Sequence, residues 1–258
     1  MLHAVNPDFT VLDETDDYIV VDKPAPLQVH PSTPNGTYTL WHGLNELLAY
    51  EMANGGQVSI INRLDRETSG TVLVAKTQAA ARRFGIAMQD RHVHKDYLAV
   101  VHGWPAWDAQ DCDGPILRKG EVLESPIWVK QMVHPDGAAC LTRFRTVQRT
   151  EHPVIGPLAL VQASPVTGRM HQIRVHLSHL GHPILGDKIY GLDERCYLDF
   201  IETGWTEDLE RRLHFSRQAL HSCRLEVKTE DFHQVWEAPL PGDMVRWLGE
   251  TADTHFSR

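Results

Sequence analysis

Short apolar runs, most of them rich in valine and isoleucine, recur along this chain and limit what it can fold into. Each is four to seven residues long, a length typical of buried strands. They lie at 18–21, 58–61, 71–75, 95–101, 128–133, 142–147 and 158–163. Their spacing lacks the strand–helix alternation of a doubly wound parallel fold. The runs therefore predict an α+β fold, with a largely antiparallel mixed β-sheet core and flanking helices and loops.

Helical patterns fall between these runs. Leucines at helical spacing predict a helix over 40–52, and Thr77 is suited to cap a second helix over 78–89. A short helix is predicted over 171–180. The stretch 193–212, where acidic and basic residues alternate, is predicted to be a solvated helical insertion.

The composition is that of a globular protein. A chain of 258 residues with 42% hydrophobic residues can bury a sizeable core, and the absence of repeats and linkers predicts a single domain over 1–258. Four cysteines without a CxxC pair argue against a zinc ribbon or a disulfide framework. The first ten residues lack a secretory signal, and no apolar run approaches the roughly 20 residues that span a bilayer. We therefore expect a cytoplasmic protein without a membrane partner.

The charge distribution argues against a strongly basic nucleic-acid binder. The formal net charge is −9, whereas proteins of that class usually present a basic face. The window 63–95 nevertheless carries seven Lys and Arg against three Asp and Glu, a local charge of +4. Since binding needs only one local patch, the overall acidity does not exclude an RNA partner.

Common site patterns are absent from the sequence. It contains no GxGxxG, GxxxxGK[ST], GxSxG or HExxH motif. His176 and His179 are spaced to face one ion, but no carboxylate or cysteine lies at a useful spacing beside them. We therefore predict hydrogen-bonded histidines and no metal site.

Two long blocks carry the functional signal: INRLDRETSGTVLVAK at 61–76 and TGRMHQIRVHLSHLGHPILGDKIYG at 167–191. They resemble the signature blocks of the RluA-type RNA pseudouridine synthases, HRLDxxTSGLLLLAK and TGRxHQIRxHLxxLGHPIxGDxxYG. Shorter matches follow the family order at 20–31, 95–103 and 219–222. Asn62 stands where the family usually has His, and Pro26 replaces a usual Gly. The match at 20–31 begins too early for the N-terminal S4-type RNA-binding domain of many relatives, so we expect a member without it.

The resemblance implies roles for five residues, and two further cations complete the candidate site. Asp65 matches the catalytic aspartate, which acts on C1′ or on the uracil ring of the target uridine. Arg174 matches the arginine that pairs with this aspartate, and Tyr97 matches the tyrosine that stacks on the target base and whose hydroxyl could move a proton. The resemblance also implies that Arg63 enters the RNA stack where the target base leaves, and that Leu220 forms the apolar wall behind the uracil. As further substrate-binding residues, Arg169 and Lys23 are predicted to contact phosphates. No cofactor is implied, because the reaction is an isomerisation.

Each of these residues also has an ordinary structural interpretation. Asp65 could cap a turn, Tyr97 and Leu220 could belong to the core, and the cations could be solvated surface charges. Two functional alternatives remain open: a carboxylate-dependent hydrolase of nucleosides or glycosides, and an inactive RNA-binding relative. The expected partner is a stem-loop of rRNA or tRNA, with no obligatory protein partner.

Overall fold

The computed structural model describes residues 8–32 and 36–249. Within them the chain forms twelve strands and seven α-helices. The strands are β1 (Thr10–Glu14), β2 (Tyr18–Lys23), β3 (Ser59–Ile60), β4 (Ser69–Ala75), β5 (Val93–His102), β6 (Ala109–Asp113), β7 (Ile116–Arg118), β8 (Gln131–Val133), β9 (Leu141–His152), β10 (Gly156–Pro165), β11 (Leu220–Lys228) and β12 (His233–Glu237). The helices are α1 (Leu40–Leu47), α2 (Ala49–Ala53), α3 (Gln78–Gln89), α4 (Gln172–His179), α5 (Arg195–Thr203), α6 (Glu207–Leu213) and α7 (Gly242–Val245).

The described residues divide into two compact units. The first comprises residues up to 95 together with Ser222–Ala238, and the second comprises Asp96–His221 and the residues from 239 onwards. Strands β5 and β11 cross the boundary, so each supplies residues to both units.

The first unit is built on antiparallel strands. β2 pairs with both β1 and β4, and β11 pairs with β12. Helix α3 packs against this sheet through Phe84, which meets Tyr18 edge to face with ring centroids 5.9 Å apart. Trp236 of β12 joins the same apolar cluster. Because all seven residues of β4 are buried, this strand is a rigid base for the loop that precedes it.

The second unit contains an antiparallel ladder and a smaller hairpin. β10 pairs with β5 on one side and β9 on the other, and β6 pairs with β9. β7 and β8 form a two-stranded sheet. An apolar cluster that includes Ile127, Val175 and Tyr190 joins the region of this hairpin to helix α4. The predicted α+β fold with largely antiparallel pairing is confirmed.

Helix 78–89 has the predicted bounds, and the Thr77 hydroxyl accepts the Ala80 amide at 3.1 Å. The predicted helix 40–52 is instead two helices, α1 and α2, because Leu48 leaves the helical conformation (φ −97°, ψ 26°). The predicted strands 58–61 and 128–133 are shorter than expected, at two and three residues. The composition of residues 30–37, HPSTPNGT, predicts a loop, and residues 33–35 of it lie outside the described residues.

The stretch 193–212 was expected to be solvated and is only partly so. It forms α5 and α6, which bury an apolar cluster of Cys196, Leu209 and Leu213 between them. The charged residues cover the outer faces, where Arg212 contacts Asp193 at 2.7 Å and Asp199 at 2.6 Å. The prediction rested on the alternating charges and did not take into account the three apolar residues that pack together. Among the described residues, no helix is long and apolar enough to cross a membrane.

Candidate functional site

The loop that carries Asp65 connects β3 to β4 in the first unit. Its side chains alternate in exposure: Asn62 and Leu64 are buried, while Arg63 and Arg66 are exposed. Asp65 is partly exposed, and its carbonyl accepts the Thr68 amide at 3.1 Å in a tight turn. The buried residues therefore anchor the loop, while its two arginines stay accessible to solvent.

Asn62 fixes the start of this loop. Its side chain is 3% exposed, and the Nδ2 amide donates to the Thr71 carbonyl at 3.0 Å. Its Oδ1 accepts the Leu73 amide at 2.8 Å. The side chain thus satisfies two backbone groups of β4, as a neighbouring strand would. Asn62, the departure from the family's usual His, therefore acts as an anchor for the chain three residues before Asp65.

Lys23 lies under the same loop and is fully buried. Its ammonium donates to the carbonyls of Pro24 at 2.9 Å, Leu27 at 2.8 Å and Arg66 at 3.4 Å. The Arg66 carbonyl also accepts the Leu27 amide at 2.9 Å. A cation without exposed surface cannot meet a phosphate in this conformation, so the predicted phosphate contact is corrected. Lys23 instead ties the β2 end of the chain to the residue that follows Asp65.

Gly70 closes the loop at the start of β4. Its φ is +115°, and a Cβ atom built on it would lie 2.2 Å from the Ser222 carbonyl oxygen. Thr71 continues the contact, with its hydroxyl 2.9 Å from that of Ser222. Only glycine fits at position 70, which explains the TSG sequence after Asp65.

Arg174 is held in the second unit by a buried carboxylate. Its Nε and Nη2 atoms donate to the two oxygens of Asp187 at 2.7 and 2.9 Å, and Asp187 has no exposed surface. The amides of Ile189 and Tyr190 donate to the same carboxylate at 2.9 and 3.0 Å. Burial alone raises the pKa of Asp187, but the Arg174 charge and these hydrogen bonds outweigh it and hold the pKa below its usual range. Arg174 is thus fixed in one orientation.

The residues around Asp187 extend this network. The Arg174 guanidinium lies 5.0 Å from the centre of the Tyr190 ring. The Tyr190 hydroxyl accepts the Gln131 amide at 2.9 Å and lies 2.8 Å from His171 Nδ1. Gly186, with φ +75°, lies against the segment that precedes β11. A Cβ atom built on it would lie 2.1 Å from the Arg217 carbonyl oxygen. The GDKIYG sequence therefore builds the support for Arg174.

The turn before α4 presents Arg169. Gln172 fixes this turn, because its Oε1 accepts the Arg169 amide at 3.0 Å and the Thr167 hydroxyl at 2.8 Å. Arg169 and Met170 are exposed, which leaves the Arg169 side chain accessible for a substrate contact. That contact stays a prediction.

Tyr97 and Leu220 are both buried residues of the second unit. Tyr97 is on β5, opposite Ala163 of β10, and is 8% exposed. Leu220 begins β11 and its carbonyl accepts Arg217 Nη1 at 3.4 Å. Their positions agree with an apolar environment for a base and equally with a core role, so their substrate contacts stay predictions.

His176, which the sequence analysis considered as a possible metal ligand, has a structural role. His176 is fully buried, with Nδ1 2.9 Å from the Thr142 hydroxyl and Nε2 2.9 Å from the Gly114 carbonyl. Both ring nitrogens are therefore occupied. In the described ranges no group of three His, Cys, Asp or Glu residues could hold a metal ion.

The structure places Arg63 and Asp65 on one loop, and it supplies Arg174 with a partner that the sequence analysis had not assigned. The predicted pairing of Arg174 with Asp65 stays a prediction. Asp187 and Tyr190 were missed as site residues although both lie in the second signature block. Their signal was the GDxxYG spacing, which alone does not reveal that the carboxylate folds back onto an arginine thirteen positions earlier.

Comparisons with known proteins identify the family of this chain. The profile of the family described as RNA pseudouridylate synthase matches residues 17–179, a range that contains Asp65, Tyr97 and Arg174. The proteins named "Ribosomal large subunit pseudouridine synthase D" from Nitrosomonas europaea and Haemophilus influenzae are 36% and 33% identical to this chain, over 92% and 95% of its length. The chain therefore belongs to the RNA pseudouridylate synthase family. It spans 64% of the length of the first of these relatives and 71% of the second.

Two solved structures share the fold. "Human RNA Pseudouridylate Synthase Domain Containing 1" superposes with a TM-score of 0.70 at 23% identity, covering 93% of this chain and 86% of that one. "Human RNA Pseudouridylate Synthase Domain Containing 4" gives 0.69 at 24% identity, covering 92% and 91%. At this identity the likeness concerns the fold alone.

Proposed function

We propose that this protein is an RNA pseudouridine synthase, which isomerises a specific uridine in structured RNA. The observation that carries the proposal is the Asp65 loop, which holds a partly exposed carboxylate between buried anchors within the segment that matches the family. The reaction breaks the N1–C1′ bond, turns the uracil and joins C5 to C1′. C5 loses a proton and N1 gains one, so the atoms balance without an oxidant, reductant or cofactor.

Asp65 is the proposed catalytic residue. A carboxylate can attack the glycosidic carbon C1′, as it does in glycosidases, or add to the uracil ring as a nucleophile. It must be ionised to do so, and a nearby guanidinium favours the ionised form. Arg174 is the proposed partner, already oriented by Asp187 through two hydrogen bonds.

The target base must leave its stack before the carboxylate can reach it. Extrusion costs a few kcal/mol and is least costly in loops and irregular RNA. We assign Tyr97 to stack on the extruded base and Leu220 to the apolar wall behind it. Arg63, exposed beside Asp65, would occupy the space that the base leaves, and Arg169 would contact a phosphate.

The substrate follows from the names of the relatives, which refer to the large ribosomal subunit. We therefore propose a uridine of large-subunit rRNA as the target and keep a tRNA as the alternative that the test separates. We also propose that the chain acts as one catalytic domain in the cytoplasm.

The test compares the wild type with Asp65→Asn, using Glu67→Gln as the matched control on the same loop. Each protein is incubated with a large-subunit rRNA transcript and, separately, with a tRNA pool. Pseudouridine is mapped by carbodiimide modification and primer extension, and free uracil is measured by chromatography. We expect one modified rRNA site with the wild type and Glu67→Gln, none with Asp65→Asn, and unchanged activity after dialysis against EDTA.

The same experiment separates the rival functions. Free uracil released by the wild type would indicate a hydrolase, and RNA binding without any product would indicate an inactive binding protein. Modification of tRNA alone would correct the proposed target. An Asp65→Asn protein that still forms pseudouridine at more than a trace rate would overturn the assigned role of Asp65.

A further inference from the structure

An exposed tryptophan lies in the segment between β7 and β8 of the second unit. Trp128 is 76% exposed, whereas Ile127 before it is buried and Val129 after it packs on the same apolar cluster as Ile127. The Ile127 carbonyl accepts the Lys130 amide at 3.1 Å and the Ser125 hydroxyl at 3.2 Å. Since both neighbours are anchored, the backbone holds the indole ring in solvent.

A guanidinium group covers one face of this indole. The Arg118 Cζ atom lies 3.8 Å from the centre of the Trp128 ring, within the range of a strong cation–π contact. Arg118 ends β7 opposite Gln131 of β8, and its Nε atom lies 3.4 Å from a Glu121 carboxylate oxygen. The pair is thus positioned by a strand and by a neighbouring charge.

The other charges of the segment are largely paired. Lys119 lies 3.6 Å from Glu194, and Lys130 forms a close ion pair with the same carboxylate. Glu121 faces Arg118, and Glu124 is exposed nearby. Because both lysines contact the Glu194 carboxylate and Glu121 contacts Arg118, the segment offers a planar aromatic and cationic surface rather than a concentrated phosphate site.

We propose that Arg118 and Trp128 form a stacking platform for an unpaired base of the RNA substrate, an inference that rests on the proposed function. Every base has a π face, so stacking on an aromatic ring tolerates any sequence. A chain with a net charge of −9 gains little from long-range attraction to phosphates. Contacts that do not depend on net charge must then supply part of its RNA affinity, and an exposed Trp–Arg pair supplies this kind of contact.

The test measures binding of a fluorescent single-stranded oligonucleotide of about ten residues, with an RNA duplex as the comparison. The proteins are the wild type, Trp128→Ala and Trp128→Phe. The matched control is Tyr50→Ala, which removes an aromatic ring that is 80% exposed on α2. Unfolding midpoints are recorded for each protein; because Trp128 is exposed, its replacement should leave them unchanged.

We expect Trp128→Ala to bind the single strand about 10- to 100-fold more weakly, with Trp128→Phe within about threefold of the wild type. The slope of log affinity against log salt should be unchanged, because no phosphate contact is removed. Tyr50→Ala should bind as the wild type does, and the KM for the rRNA substrate should rise for Trp128→Ala alone.

Equal binding and equal KM for Trp128→Ala and the wild type would overturn the platform. So would a change of self-association in Trp128→Ala with RNA binding intact, which would make this surface a protein contact. These results leave the proposed function standing if the wild type still forms pseudouridine. The proposed function fails separately, if the wild type forms no pseudouridine whatever the state of Trp128.

Discussion

Replacement of Asn62 should cost this protein a large share of its stability, because the side chain satisfies two buried backbone groups. The Thr71 carbonyl and the Leu73 amide both lie on fully buried residues of β4. Asn62→Ala leaves both without partners, at about 1–3 kcal/mol for each unpaired buried group. Water entry recovers part of this penalty, so we expect a loss of about 2–4 kcal/mol in the free energy of unfolding.

Asn62→Asp separates the two hydrogen bonds. The carboxylate still accepts the Leu73 amide, but its second oxygen faces the Thr71 carbonyl, to which only a protonated acid can donate. Burial and this acceptor raise the pKa of the new acid above its value in the unfolded chain. The folded state then binds more protons than the unfolded state, so the penalty is greatest near neutral pH and shrinks as the pH falls towards about 4.

Urea unfolding of the wild type and the variants, at about pH 7 and about pH 5, measures these differences against the wild type at the same pH. The matched control is Asn54→Asp. In the wild type the Asn54 Nδ2 donates to the Tyr50 carbonyl at an exposed site, so the stability change caused by this variant should depend little on pH. An Asn62→Ala protein within about 0.5 kcal/mol of the wild type would refute the anchoring role. An Asn62→Asp penalty equal at both pH values would refute the assignment of the Thr71 bond.

Three further predictions concern the residues of the second unit. Arg174→Lys should reduce kcat nearly as much as Arg174→Ala, because an ammonium cannot reproduce the two-pronged contact with Asp187; near wild-type turnover of the lysine variant would contradict this. Asp187→Asn should lower the unfolding free energy by about 3–5 kcal/mol at neutral pH, because it removes the buried negative charge that faces the Arg174 guanidinium. Because the pKa of Asp187 is depressed in the folded protein, its contribution is present above about pH 4 and is lost on further acidification, so the wild type and variant should converge in acid urea titrations. Single-turnover rates should distinguish the roles of Tyr97: Tyr97→Phe keeps the rate if the ring only stacks and loses about 10²–10⁴-fold if the hydroxyl moves a proton, while a fully active Tyr97→Leu would remove this residue from the site.

The local sequence determined much of the secondary structure. Thr77 followed by a helical pattern predicted α3 with its cap, because a capping hydroxyl and the amide that donates to it lie within three residues of each other. The β-branched runs predicted β2, β4, β5, β9 and β10 for the same reason, since strand propensity and burial are visible within one run. Short strands such as β3 and β8 were overestimated, because their ends depend on pairing partners elsewhere in the chain.

The two signature blocks determined the family and the candidate catalytic residues, since each block is a continuous stretch with fixed spacing. Asp65 and Arg174 could therefore be named from the sequence. What these residues contact could not be read in the same way. The sequence assigned Lys23 to a phosphate, and the fold gives it three carbonyls.

Only the tertiary structure decided which polar and charged side chains are buried and which groups they contact. Lys23 reaches the Arg66 carbonyl 43 positions away, Arg174 reaches Asp187 13 positions away, and Asn62 reaches Leu73 11 positions away. In each case a polar group with an ordinary place on the surface is removed from water, where it is stable only with a partner of matching geometry. That partner is supplied by another segment of the folded chain. The burial of the residue and the identity of its partner therefore cannot be predicted from the adjacent sequence. The candidate catalytic residues could be predicted from local sequence motifs, whereas the contacts that hold the side chains in position form only when the chain folds.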